Sequence, residues 1–264
     1  MTTDEQRQVS LETRAAVMQS LTAHMFARSV ALTVFDTSEE PEVAISHGSG
    51  FCMAIGGRFF IGTAAHIARQ KEDFRIFVAF GEAPNNGVLK NIGWGAEGTD
   101  EEFVREDVGW LEISAAAART SGRTFMTLAE VLPNRNDFPE GFVHTVGSPG
   151  DYTEEREFRG RPLTTRRSLP FFSNALAKPE TRFVFPETDL YIQWDEHMVR
   201  GEPDEKMHRA PDPSGMSGGA VWGSPRLDPS KLWIPSPKLL GVIRSSKHGK
   251  YLRATQIQRW LAHG

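Results

Sequence analysis

The hydrophobic positions at both ends of the chain follow a helical period. Near the N-terminus they recur at helical spacing, and a threonine at position 2 or 3 can cap the first turn. These positions are Val9, Ala16, Val17, Leu21 and Met25. In the tail, Ile257, Trp260 and Leu261 stand at i, i+3 and i+4, which is typical of an amphipathic helix. We therefore predict an N-terminal helix over 1–27 and a C-terminal helix over 254–264.

Between these helices the pattern changes to short apolar segments separated by Gly, Pro, Asn and Asp. The glycine pair at 56–57 predicts a tight hairpin, because such turns need positive φ angles. Strands this short and this closely spaced are typical of an antiparallel barrel or sandwich. The first group of predicted strands is 29–35, 50–55, 58–63, 74–80, 88–94 and 108–113, and the second starts at 141–147 and continues with "RFVFP", "DLYIQW", "GAVWG" and "LLGVIRS".

Two further segments separate and interrupt these groups. Residues 114–140 are helical at most in part and end in Pro, Asn and Asp, so we interpret them as the connection between two halves. Residues 151–182 are polar and show no clear periodicity, which predicts a long surface loop.

Composition excludes several classes of function. A net charge of −4 over 264 residues gives no electrostatic footprint for nucleic acid or an anionic membrane, and no apolar run approaches the roughly 20 residues that span a bilayer. The single cysteine, Cys52, excludes an internal disulfide framework and lies in an apolar run, so we expect a buried thiol. The N-terminus lacks the apolar stretch of a signal peptide. We therefore expect a cytoplasmic protein.

The most unusual local stretch is "PDPSGMSGGAVWG", from Pro211 to Gly223. Three glycines within five positions around Ser217 are costly on folding and indicate a sharp turn or a close approach of the backbone. A serine hydroxyl becomes a nucleophile only when a neighbouring base removes its proton and a third group orients that base. The candidate base is His66 in "IGTAAHIA", and the candidate carboxylate is Asp107 in "EDVGWLEI". No metal-ligand spacing such as HExxH occurs.

Three of these segments together resemble a known family. "GSGF…FFIGTAAHIA", "DVGWLEI" and "SGMSGGAVWG" are similar to the signature segments of the trypsin-like (chymotrypsin-fold) serine proteases, in that family's order. "HTVGSPGD" (144–151) resembles the start of the second barrel in bacterial members. The likeness spans about residues 29–250. It implies an all-β fold of two antiparallel six-stranded β-barrels, the first over 28–125 and the second over 126–253, with a helix at each end.

The resemblance also implies a serine endopeptidase that hydrolyses peptide bonds. In that case Ser217 attacks the scissile carbonyl, His66 acts as general base and then acid, and Asp107 orients the imidazole. The backbone amides of Gly215 and Ser217 would form the oxyanion hole, and Met216 before the serine implies that this hole forms without N-terminal processing. No cofactor or metal is implied. The expected partner is a protein or peptide substrate, and the resemblance leaves room for a regulatory protein partner.

Family position also places residues 211–214 and 242–246 around the primary specificity pocket. The implied substrate-binding residues are Asp212, Ser214, Arg244 and Ser245. Asp212 could attract a basic side chain, whereas Arg244 could neutralise it or favour an acidic one. We predict cleavage after a basic residue.

Two alternatives remain open at this point. GxSxG is also the nucleophile elbow of the α/β-hydrolases, but that fold needs its acid and its histidine after the serine, and Asp228, His248 and His263 stand in poor contexts for those roles. The other alternative is a protease-fold binding module without catalytic activity. All three triad positions are occupied here, which favours the enzyme.

Overall fold

The structure is a computed structural model of the whole chain. It describes residues 3–36, 38, 43–72, 75–79, 94–95, 106–132, 142–150, 153–158, 161–166, 168–176, 189–194, 199–200, 211–223, 237–247 and 250–263. The helices are α1 (Thr3–Phe26), α2 (Ala65–Ala68), α3 (Ala115–Thr120) and α4 (Ile257–His263), with 3-10 turns at Arg69–Glu72 and Leu128–Glu130. None of the described helices has the length and apolar character needed to cross a membrane.

The first sheet is antiparallel and six-stranded, in the order β4-β1-β2-β3-β6-β5. Gly56 and Gly57, with φ of 57° and 79°, form the tight turn between β2 and β3, as the glycine pair predicts. The strands are β1 (Ser29–Asp36), β2 (Val43–Ile55), β3 (Arg58–Ala64), β4 (Arg75–Ala79), β5 (Trp94–Gly95) and β6 (Val108–Ile113).

The second sheet is antiparallel and seven-stranded, in the order β11-β15-β14-β13-β7-β10-β12. An additional pairing of β10 with β11, with Ala175 opposite Ile192, links six of these strands into a ring. The strands are β7 (Phe142–Gly147), β10 (Leu169–Leu176), β11 (Asp189–Gln193), β12 (Val199–Arg200), β13 (Ala220–Gly223), β14 (Lys238–Lys247) and β15 (Tyr251–Gln256).

The expectation of a β-rich chain with two antiparallel sheets is confirmed, but two closed six-stranded barrels are not present. Among the described residues β4 and β5 are the two edges of the first sheet and do not pair, so that sheet is open. The described part of β5 is only Trp94–Gly95, and it pairs with β6. Closure of a barrel requires every strand to have two neighbours.

The predicted surface loop over 151–182 is wrong in part, since strands lie within it. Thr153–Phe158 (β8) and Arg161–Arg166 (β9) pair as a separate two-stranded antiparallel sheet, and β10 follows. A two-stranded ribbon outside the main sheets needs no apolar face of its own, so its polar sequence carries little of the alternation that predicts a half-buried strand. Of the predicted strand 88–94, all but residue 94 lies outside the described residues, and the whole of the predicted strand "RFVFP" does so as well.

Three hydrophobic clusters stabilise the fold, one associated with each sheet and one between them. The third cluster takes Leu21 and Met25 from α1 and Ile257 and Trp260 from α4, together with residues of both sheets such as Phe51. Both terminal helices therefore contribute to the core that joins the two halves. The Cys52 side chain is fully buried, and burial raises the pKa of its thiol to about 12.

Candidate active site

His66 and Asp107 meet because His66 follows β3, Asp107 precedes β6, and these two strands pair side by side. β3 and β6 are antiparallel with Ala64 opposite Val108, so the residues after Ala64 lie beside the residue before Val108. His66 Nδ1 lies 2.7 Å from Asp107 Oδ2, and the backbone N–H of His66 donates to Asp107 Oδ1 at 2.9 Å. One carboxylate thus fixes both the ring and the backbone of the histidine.

The backbone of Asp107 is itself constrained. Its φ of 48° lies in the left-handed region, which aspartate tolerates better than most residues and which is frequent at functional sites. The Asp107 carbonyl accepts the N–H of Ala65 at 3.1 Å. A methyl group added at Gly109 would come within 2.8 Å of Ala65 Cα, so α2 lies directly on β6. The Asp107 side chain is only 13% exposed, whereas that of His66 is 42% exposed and open to an incoming molecule.

Ser217 lies in a tight turn between Pro213 and Gly219. The N–H of Met216 donates to the carbonyl of Pro213 at 2.9 Å, and the N–H of Gly219 donates to the carbonyl of Met216 at 2.8 Å. Gly215 and Gly218 have φ of 88° and 85°, which explains two of the glycines in this stretch. A side chain at Gly218 would also overlap the Ser49 carbonyl and the Thr63 hydroxyl, so this position needs glycine for space as well.

The Ser217 turn packs against the sheet that carries His66. The carbonyl of Ser217 accepts the N–H of Ser49 in β2 at 2.7 Å. A methyl group at Gly218 would lie 3.0 Å from the backbone nitrogen of Ala64, two residues before His66. Within the described part of the chain no hydrogen bond joins the Ser217 hydroxyl to His66. In sites of this chemistry the bond between nucleophile and base is commonly long until substrate is bound.

The backbone N–H groups of this turn fall into two sets. Ser214, Met216, Gly218 and Gly219 each donate to a nearby oxygen, with distances from 2.7 to 2.9 Å. In the part of the chain that the structure describes, the N–H groups of Gly215 and Ser217 donate to none. An N–H group left unpaired by its own turn is available to an oxygen of another molecule.

The remaining predicted residues lie around this turn. Asp212 is exposed, and its Oδ1 accepts the N–H of Ser214 at 2.9 Å. Ser245 is exposed, two residues beyond Ile243, whose carbonyl accepts the Gly218 N–H at 2.7 Å. The basic or acidic preference for substrate stays a prediction.

Arg244 is buried, and its partner was not predicted from the sequence. Its Nη2 lies 2.5 Å from Oδ1 of the fully buried Asp189, and Asp189 also accepts from Arg253 and from the Tyr191 hydroxyl. Burial lowers the pKa of the Arg244 guanidinium, and the Asp189 carboxylate opposes that shift.

A second set of contacts that the sequence did not predict connects the C-terminal helix to Glu106 and Gly109, which lie close to Asp107 in the chain. Glu106 is 2% exposed, and its Oε1 accepts from Nε of Arg259 at 2.8 Å and from Nη2 of the same guanidinium. The Thr255 hydroxyl donates to the Glu106 carbonyl, and Trp260 Nε1 donates to the Gly109 carbonyl at 2.8 Å. β15 and α4 thus bind the residues on either side of Asp107.

Neither a scan of protein-family models nor a search of curated proteins found a match to this chain.

Proposed function

We propose that this chain is a trypsin-like serine endopeptidase with His66, Asp107 and Ser217 as its catalytic residues. The observation that carries the proposal is the 2.7 Å hydrogen bond between His66 and Asp107. It lies beside β3, against which the Ser217 turn packs. An aspartate bound to Nδ1 leaves the opposite ring nitrogen to accept a proton, which is the arrangement a serine nucleophile requires.

In the proposed reaction Ser217 Oγ attacks the carbonyl carbon of the scissile peptide bond while His66 Nε2 takes the hydroxyl proton. The negative charge that develops on the carbonyl oxygen is stabilised by the N–H groups of Gly215 and Ser217, each worth roughly 3–4 kcal/mol in sites of this kind. When the intermediate collapses, the C–N bond breaks and His66 donates its proton to the departing amine. A water molecule, deprotonated by His66, then releases the acyl group as a carboxylic acid and regenerates Ser217.

The strand orders support the two-barrel form of this proposal. Starting from β7, the ring in the second sheet runs β7-β10-β11-β15-β14-β13. Numbered 1 to 6 in chain order, these six strands have the order 1-2-3-6-5-4. In the first sheet β1, β2, β3, β6 and β5 follow the same order, and β4 is next to β1. A single additional pairing between β4 and β5 would make the first sheet a ring of the same topology. The two sheets therefore share one strand order, which fits a fold built of two barrels of the same kind.

The test is covalent labelling of the uncut chain with a fluorophosphonate, in which a serine oxygen displaces fluoride from phosphorus. We expect one adduct per chain, on Ser217 by peptide mapping, while mass spectrometry finds residue 1 still present. Ser217→Ala and His66→Ala should abolish labelling without loss of the fold, whereas Ser38→Ala, which removes an exposed hydroxyl bonded to Asp36, should have no effect. If the folded wild type is not labelled, the catalytic proposal fails and the silent binding module takes its place.

Substrate choice needs its own measurement. We expect protein that reacts with the fluorophosphonate to cleave a peptide library with a basic residue before the scissile bond. A preference for acidic or aromatic residues would overturn that expectation and leave the reaction itself untouched.

A further inference from the structure

Ser49 is a buried residue of the first sheet whose polar groups contact the Ser217 turn. The Ser49 residue is only 1% exposed to solvent. Its Oγ donates to the Gly215 carbonyl at 2.7 Å, and its backbone N–H donates to the Ser217 carbonyl at 2.7 Å. The same Oγ accepts the N–H of Ser148, just after β7, at 2.9 Å. One residue thus connects β2, the end of β7 and the turn.

The two carbonyls that Ser49 binds belong to Gly215 and Ser217, whose N–H groups donate to no oxygen among the described residues. Binding the Gly215 carbonyl from the first sheet fixes the peptide plane between Gly215 and Met216, whose N–H is in turn held by the Pro213 carbonyl. Gly215 has φ of 88°, and glycine readily adopts several backbone conformations. A contact that restrains the carbonyl of this residue therefore limits the directions in which its N–H can point.

Building on the proposed function, we propose that Ser49 is a positioning residue that holds the Gly215 and Ser217 N–H groups in the geometry that stabilises the oxyanion. Ser49 does not touch the reacting atoms. It acts by binding, from the opposite sheet, the carbonyls of both donor residues.

The proposed role needs the Ser49 hydroxyl because this group makes two hydrogen bonds. It donates to one backbone group and accepts from another, so Ser49→Ala removes both contacts and leaves the Gly215 carbonyl without this donor. The backbone N–H bond from Ser49 to Ser217 survives the substitution. We therefore expect the turn to remain in place while Gly215 gains freedom.

A substitution at Gly147 offers a second way to disturb the contact between Ser49 and the Ser217 turn. A methyl group at Gly147 would lie 2.6 Å from Met216 Sδ and 3.1 Å from Ser49 Oγ. Gly147→Ala keeps the Ser49 hydroxyl, but we expect the added methyl group to displace it by a few tenths of an ångström and to push on the Met216 side chain of the turn. A smaller change in the same direction is expected.

The experiment measures fluorophosphonate labelling as a function of reagent concentration, which separates the maximal rate constant from the half-saturating concentration. The phosphonyl oxygen takes the position of the oxyanion, so a misplaced donor lowers the maximal rate and leaves reagent binding unchanged. For Ser49→Ala we expect a loss of about 10- to 100-fold, smaller than the roughly 10²–10³-fold loss of a whole donor. The matched control is Ser173→Ala, another buried serine whose hydroxyl donates to one backbone carbonyl, that of Gln193 at 2.7 Å.

Each outcome decides between the two proposals. A selective loss of maximal rate in Ser49→Ala, absent in Ser173→Ala at a similar melting temperature, supports the positioning role. Equal rates in Ser49→Ala and wild type would refute it while the proposed function stands. If Ser49→Ala does not fold, Gly147→Ala decides: a rate loss of threefold or more supports the role, and an unchanged rate overturns it. If the wild type is not labelled, both proposals fall.

Discussion

Replacing Arg259 with methionine tests whether the C-terminal helix supports the geometry of Asp107. The substitution keeps an unbranched apolar stem but removes the guanidinium that binds Glu106 through Nε and Nη2. The Glu106 carboxylate, with a side chain 3% exposed, would then be a buried charge without its main counterion. Glu106 immediately precedes Asp107, so any movement that relieves this charge also moves the residue that orients His66.

The size of the effect follows from the burial of the two partners. Breaking a buried ion pair by removing one member costs about 3–5 kcal/mol. Arg259 is itself 42% exposed, so water can reach part of the site and we reduce the expected cost to about 2 kcal/mol. For a chain of this size that corresponds to a fall in Tm of roughly 4–8 °C. Complete loss of the aspartate function costs about 10⁴ in rate in comparable sites, so a displaced Asp107 should cost about tenfold.

The assay combines thermal unfolding with fluorophosphonate labelling for a set of variants. Arg58→Met is the matched control, since Arg58 pairs with Glu112 on β6, the strand that follows Asp107, but the pair is exposed, at 61% and 33%. We expect Arg58→Met to change neither Tm nor rate appreciably. Adding Glu106→Gln to Arg259→Met should recover part of the lost stability, because it removes the buried charge that Arg259 neutralises. If Arg259→Met behaves like Arg58→Met, the reasoning about Asp107 is refuted.

Three further predictions concern individual residues. Gly218→Ala should prevent folding or lower Tm far more than Gly122→Ala, because both have positive φ but only Gly218 lacks room for a methyl group; equal losses would contradict this. Native Cys52 should resist iodoacetamide at pH 8 and react only after unfolding, as mass spectrometry can show, since burial raises the pKa of its thiol to about 12. Burial lowers the pKa of His144 to about 4, so the unfolded state binds its proton first and stability should fall by about 3 kcal/mol between pH 6.5 and 4; His144→Phe should flatten that part of the Tm profile.

Local patterns in the sequence predict the elements whose neighbours lie nearby. The strand 108–113 is found with those bounds, the hairpin at Gly56–Gly57 is present, and the tail forms α4. In each case the signal is a period or a turn residue within about ten positions. The His66–Asp107 contact could be predicted only from the resemblance, because no local pattern reports that β3 and β6 pair.

Contacts between distant residues account for what the sequence did not predict. Ser49 and Gly215 are 166 positions apart, and Glu106 and Arg259 are 153 apart. Arg244 illustrates the consequence for charge: its position suggested a group facing substrate, but Asp189, 55 residues away, pairs with it in the interior. A sequence gives the sign of a side chain's charge, whereas only the fold determines which charge opposes it.

The proposed site depends on the docking of two halves, because neither half contains all of it. His66 and Asp107 lie next to the ends of two paired strands of the first sheet, and the Ser217 turn precedes a strand of the second. Ser49 reaches from the first sheet to the turn, and Thr255 and Arg259 reach from the end of the second half to Glu106. These cross-contacts are polar and directional, so a small shift between the halves breaks them before it exposes much of the apolar core. Activity should therefore be lost at milder perturbation than the fold itself, and the loss should appear first in the maximal rate.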